Sequence, residues 1–215
     1  SERLPEDTIV EGAATSDPVP VEPYTHALEK CIEFFGQSEK GRFRFVTKYT
    51  DIKSLLGLKH NGHTEMRFSI NTDYVIKEYE HSTPLRNKRI EAGIEAVNAG
   101  YPVGFLIAPV FIYPKWKEDY HSLLMELSKR LPEKLMYPVT FEVISHRYTS
   151  IAKERILQVF PETKLPMEEE DRQFKFGQFG YGKYVYSKER LKEVKDFFSE
   201  DIELLFKDKK VLYII

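Results

Sequence analysis

Ser16, Lys48, Ser69 and Asn71 are the side chains best placed to do chemistry, because each closes or follows an apolar, β-rich run. The runs are Thr8–Ala13, Arg42–Thr47, Glu65–Phe68, Val103–Ile107 and Thr140–Ile144, and each leads toward a helix. In α/β sheets and barrels, ligands sit at the carboxyl ends of the strands, where these residues fall. An ammonium, two hydroxyls and an amide there form a polar ring that could hold a small charged molecule. Lys48 can bind a carboxylate or phosphate, or its ammonium can simply reach solvent over its apolar stem. The first strand end, Glu11-Gly-Ala-Ala-Thr-Ser-Asp17, offers tiny side chains and exposed amides for close approach. Read structurally, it is an Asx or Ser turn.

The longest aromatic motif is Gln173-Phe-Lys-Phe-Gly-Gln-Phe-Gly-Tyr-Gly-Lys-Tyr-Val-Tyr186. Two alternating runs around a Gly-rich turn predict a β-hairpin. Protruding aromatics can stack on or wedge between bases while lysines neutralise phosphate. The competing reading is an edge hairpin whose aromatics cover the bottom of a barrel. His60-Asn-Gly-His63 has two imidazoles around a turn glycine but no third ligand nearby, so no metal site is expected. His146 follows the fifth run and reads by default as a strand-end cap, with a supporting hydrogen-bond group or part of a nucleic-acid edge as alternatives, and Glu168–Asp171 reads as a solvated acidic loop.

The elements that must position these groups are legible from periodicity. Leu28, Cys31, Ile32 and Phe35 give a helix over 24–35, stopped by Gly36. A short helix is expected near 51–56, then helices over 84–99 (Ile90, Ile94 and Val97 inward), 116–131, 151–160 and 188–206, with a final strand over 211–215. Alternating strands and helices favour a parallel sheet with right-handed crossovers. Five such steps are too few for an eight-stranded barrel, so a partial barrel is expected over 1–165, with the hairpin (173–186), helix and last strand over 166–215 packed on it. The first strand starts as if earlier units preceded it.

Composition narrows the function. Lys plus Arg number 32 against 34 Asp plus Glu, so the net charge of -2 gives no global attraction to nucleic acid and any basic surface is local. No run is apolar enough to span a bilayer and no signal peptide opens the chain, so a cytoplasmic protein is expected. The one cysteine, Cys31, excludes an intrachain disulfide and any multi-cysteine metal site built from this chain alone.

Six segments in order, 11–17, 44–48 (Arg-Phe-Val-Thr-Lys), 59–64 (Lys-His-Asn-Gly-His-Thr), 67–71 (Arg-Phe-Ser-Ile-Asn), 100–109 (Gly-Tyr-Pro-Val-Gly-Phe-Leu-Ile-Ala-Pro) and 176–184, resemble the spore photoproduct lyase family. The family consists of radical S-adenosylmethionine (SAM) enzymes that repair the spore thymine dimer, 5-thyminyl-5,6-dihydrothymine, in DNA. The resemblance implies a radical SAM-type (β/α) barrel, of which this chain represents the C-terminal part. It implies Ser16 and Lys48 at the amino-acid end of SAM, Ser69 with Asn71 near the ribose, and the Ala108 backbone near adenine. It makes the hairpin a lesion-binding wedge with Gln178 and Phe179 at its tip and Lys183 beside it; some relatives carry Arg-Tyr at the tip. Two departures stand out. The family's C-x-x-x-C-x-x-C motif, which holds a [4Fe–4S] cluster, is absent. The family's hydrogen-donor cysteine is matched by Ala14, which has no thiol.

The reading is therefore an α/β partial barrel from a DNA-repair lyase, binding SAM and DNA containing the spore thymine dimer, and expected to be a monomer without membrane contact. The [4Fe–4S] cluster is expected only with a further segment, and the chain alone is expected to be inactive. The alternative is a non-catalytic DNA-binding module of the same fold.

Overall fold

The computed structural model describes residues 8–13, 15–170, 172–176 and 182–215. Six strands, β1 (Thr8–Gly12), β2 (Gly41–Thr47), β3 (Thr64–Ile70), β4 (Val103–Val110), β5 (Val139–Ser145) and β8 (Lys209–Ile214), pair in the order β1-β2-β3-β4-β5-β8. Every pairing is parallel, and the sheet curls into a half-barrel. β6 (Arg172–Phe176) and β7 (Gly182–Tyr186) form the antiparallel hairpin.

Alternation along the strands divides the sheet into two faces. Phe43, Phe45, Met66, Phe68, Ile70, Phe105, Ile107, Phe141 and Val143 point to the convex side and form the core. Four helices cover them: α2 (Ala27–Gly36), α4 (Arg86–Asn98), α5 (Trp116–Arg130) and α7 (Lys188–Leu205). Burial of Ile32, Ile90, Leu124, Leu127, Phe198 and Ile202 seats these helices. Hydrophobic area removed from water is the dominant favourable contribution.

Several elements differ from the sequence expectation. The helix expected over 24–35 is broken: a single turn α1 (Glu22–Thr25) ends at His26, which has φ 50°, and α2 restarts at Ala27. Glu22 explains the restart, since its buried carboxylate accepts N–H bonds from Leu28 (2.7 Å) and Glu29 (3.0 Å) and caps α2 from six residues away. The helix near 51–56 is only a 3₁₀ turn, Lys53–Leu55. A further helix, α3 (Asp73–Tyr79), follows β3, capped by the Thr72 hydroxyl. β3 and β4 run on through Ser69 and through Ala108-Pro109, so those residues are inside strands. The final strand is the sixth of the main sheet, beside β5.

α6 (Ser150–Val159) buries none of its residues, and the hairpin docks at its side. Tyr148 and Tyr184 exchange backbone hydrogen bonds (3.2 and 2.7 Å), and Tyr186 accepts the Ile112 N–H (3.1 Å). Ile112 and Tyr148 lie just past β4 and β5, so the hairpin stands on the carboxyl-end rim. That rules out the reading in which its aromatics cover the barrel bottom.

Candidate functional site

At the carboxyl-end rim, Asp17 ties the first turn to β2. Its carboxylate accepts from the Thr47 hydroxyl (2.8 and 2.9 Å) and the Lys48 N–H (2.8 Å). Lys48 reaches across to β3 and donates to Ser69 Oγ (3.3 Å) and to Glu80 Oε1 (3.1 Å). Two of the expected residues thus converge from adjacent strands. Ser16 is exposed in the turn held by Asp17, at the same end of the sheet. Ala108 and Pro109 sit where the β4–β5 register shifts, outside the regular pairing, which leaves their backbone irregular at the rim.

Asn71 has a different position. It is fully buried, its Nδ2 donates to Pro109 O (2.9 Å), and its Oδ1 accepts from the Thr72 N–H (3.0 Å) and the Tyr120 hydroxyl (2.9 Å). The amide joins β3, β4 and α5. Ala14, Gln178, Phe179 and Asp171 lie outside the described residues.

Below the rim, the concave face carries a belt of charge that the sequence reading missed. Glu11 pairs with Arg44 (2.6 Å) and with Arg67; Arg67 also pairs with Glu142 (2.9 Å), which accepts the Tyr213 hydroxyl. Glu65 accepts from the Thr140 hydroxyl (2.5 Å), and burial pushes its carboxyl up. Burial, aided by Glu142, pushes the Tyr213 hydroxyl up to about 12. Gly104 makes the crossing possible: a Cβ there would meet Thr140 Oγ1 at 2.5 Å and Arg67 Cγ at 2.9 Å. The signal was present in Arg42-Phe-Arg-Phe and Glu65-Met-Arg-Phe, where charges alternate with core aromatics.

The hairpin root is also polar. Arg172 donates to His146 O (2.7 Å), hydrogen-bonds His146 Nδ1 (3.1 Å) and lies 3.7 Å over the Tyr186 ring. Burial, with the Arg172 charge beside it, lowers His146 to about 3, so its imidazole is neutral. Phe111 stacks on the same ring at 4.5 Å. Outward from this root, Tyr184, Phe174 and Phe176 continue one aromatic face, with Phe176 78% exposed. Gly182 has no side chain to displace the Phe174 ring that crosses it. Lys175 and Lys183 oppose each other on the other face.

The two imidazoles singled out in the sequence are engaged by the fold. His60 Nδ1 accepts from the Gly62 N–H (3.0 Å) and Nε2 meets Ala99 O (3.3 Å); His63 Nδ1 meets Phe35 O (2.8 Å). Among the described residues, Glu22, His26 and Glu29 bring three ligand-type atoms within 4.8 Å, but Glu22 is the helix cap described above.

The family model for spore photoproduct lyase matches residues 1–215. The chain belongs to the spore photoproduct lyase family. A spore photoproduct lyase from Clostridium acetobutylicum is 55% identical over 213 residues, covering 99% of this chain and 62% of that protein. One from Bacillus subtilis is 44% identical over 212 residues, with the same shares covered. A solved spore photoproduct lyase mutant with bound AdoMet and dinucleoside spore photoproduct superposes with a TM-score of 0.94 at 43% identity, covering 100% of this chain and 63% of that one. Another, complexed with dinucleoside spore photoproduct, has a TM-score of 0.93. The chain therefore spans about 62% of the length of its curated relatives.

The [4Fe–4S] cluster that the resemblance implied does not fit the residues present: with an open iron it would need three thiolates, and Cys31 is the single cysteine of this sequence. It sits half-buried on α2, packed against the convex-face core, and burial raises its thiol above the usual range. Among the described residues no helix is long and apolar enough to cross a membrane.

Proposed function

We propose that this chain is the SAM- and lesion-binding portion of a spore photoproduct lyase-type DNA-repair protein of the bacterial cytoplasm. The observation that carries this reading is the convergence of Lys48 and Ser69 from the adjacent strands β2 and β3, Nζ to Oγ 3.3 Å. Lys48 supplies an ammonium to the SAM carboxylate, with the Ser16 hydroxyl close by on the first turn. Ser69 serves the ribose, and the Ala108 backbone, freed by the register shift, serves the adenine edge. Asn71 acts beneath them by fixing the end of β3 against Pro109 and Tyr120. Bound SAM, held by Lys48, Ser16, Ser69 and the Ala108 backbone, would supply the adenosyl radical chemistry of the family, and a cluster would need thiolates beyond the single Cys31. Ala14 occupies the hydrogen-donor position without a thiol, so this chain alone returns no hydrogen to a product radical.

Calorimetric titration tests the site. SAM is expected to bind, and Lys48→Ala to raise the Kd about tenfold or more, the scale of one charge-assisted hydrogen bond. With iron, sulfide and reductant added, the bound SAM is expected to remain intact and no cluster absorbance to develop. An unchanged Kd removes Lys48 from the site, and SAM cleavage overturns the inactivity.

The hairpin is the lesion-binding element, with Phe174 and Phe176 exposed for stacking, Lys175 and Lys183 for phosphate, and Gln178 and Phe179 as further lesion contacts. Its support is the placement on the same rim as Lys48. Lys183→Ala is expected to weaken binding to lesion-containing duplex and to flatten the log K against log salt slope by about 0.9, one phosphate contact. Phe179→Ala is expected to cost about 1–3 kcal/mol of binding. Equal affinities and slopes would leave the hairpin a structural role.

A further inference from the structure

The Lys48 ammonium is held from behind. Of its two acceptors, Glu80 is the charged one, and the Glu80 side chain is only 8% exposed against 32% for Lys48. The second Glu80 oxygen, Oε2, accepts from Arg89 NH1 at 2.7 Å. Arg89 is completely buried, and its other donors are also engaged: NH1 with Ser69 O (3.2 Å), Nε with Pro84 O (2.8 Å), NH2 with Thr83 Oγ1 (2.7 Å). The Thr83 hydroxyl in turn donates to Glu80 O (2.6 Å). The chain from Glu80 to Pro84 is thus folded around one guanidinium, whose planar fork only arginine provides.

Charge explains why a buried arginine stands here. Lys48 and Glu80 alone form a neutral pair with little pull on an incoming carboxylate. Arg89 neutralises Glu80 from the sealed side, so one positive charge is left over, and Lys48 is where it meets solvent. The carboxylate beside that ammonium offers a complement to a ligand ammonium. A flexible lysine immobilised in advance also loses less freedom on binding.

We infer that Glu80, backed by Arg89, is a positioning residue for Lys48 that makes the rim select a zwitterionic amino-acid end over a simple nucleoside. This deepens the SAM reading of the site and rests on it. Glu80→Gln is expected to weaken SAM about tenfold while leaving 5′-methylthioadenosine, which lacks the amino-acid end, unchanged. Arg89→Lys, which keeps the charge and loses the fork, is expected to shift the same ratio in the same direction. A general loosening of the fold would weaken both ligands together, and SAM affinity equal to or tighter than the parent's would overturn the inference.

A ligand-free readout separates this claim from the SAM reading. In lysine-labelled protein, the Lys48 15Nζ ammonium resonance, assigned with Lys48→Arg, is expected to be visible in the parent and lost to rapid exchange in Glu80→Gln. Persistence of that resonance in Glu80→Gln overturns the positioning role whatever binds. A Glu80-dependent resonance without SAM binding would instead sink the SAM reading and leave the brace standing.

Discussion

Exchange of Arg67 for methionine is expected to lower the free energy of unfolding by about 3–5 kcal/mol, the range for breaking a buried ion pair from one side. Arg67 is one residue of β3, yet it joins Glu11 on β1 to Glu142 on β5 across the concave face. Its side chain is 6% exposed and that of Glu142 is 4% exposed, so methionine leaves Glu142 inside without its closest cation. Arg44, at 4.0 Å from Glu142, replaces little of that contact. Urea unfolding should show a lower midpoint with an unchanged slope, since the surface exposed on unfolding is the same. Adding Glu142→Gln to the same protein should recover much of the loss, because the stranded charge is then gone. A loss under about 1 kcal/mol in the single variant would mean that the helices on the convex face hold β1 and β5 together without the belt.

The belt also shows what a linear reading of this chain could and could not find. Strand positions were legible because Phe43, Phe45, Phe68, Phe105 and Phe141 recur on buried faces between turn residues. Parallel order followed from the intervening helices, and the convergence of Lys48 with Ser69 followed from Lys48 standing just past β2 and Ser69 lying in the last residues of β3. The charges of Glu11, Arg67 and Glu142 alternate visibly with core residues, but their pairing was hidden, because the partners lie up to three strands away and pairing at that distance leaves no local period. Glu80 and Arg89 were hidden for a related reason: their value lies in the loop that folds around a guanidinium, and loop shape has no hydrophobic signature. Helix ends failed where distant caps act, as with Glu22 on α2. The hairpin was legible as a hairpin; its seat on the rim depends on Tyr148, Tyr186 and Arg172 meeting groups from other elements.

That seat should be acid-labile. His146 accepts a hydrogen bond at Nδ1 from Arg172, under the Phe111 ring, and a second proton would put two cations in contact inside the protein. Its folded value of about 3 lies below the ordinary imidazole value of 6.5, so the neutral form is favoured by folding. The stabilisation is complete above the unfolded value, is lost progressively as pH falls below it, and is exhausted once pH passes below the folded value. Between pH 7 and pH 5 the expected loss is about 2 kcal/mol, most of it before the carboxylates titrate. Unfolding measured at both pH values in the parent and in His146→Asn isolates this contribution, because asparagine cannot titrate. The parent should lose more than the variant by about that amount, while the imidazole of the folded protein stays neutral and its contact with Arg172 stays intact across this interval. Equal losses in the two proteins would place the acid sensitivity elsewhere and leave Arg172 anchored to His146 O and Tyr186 alone.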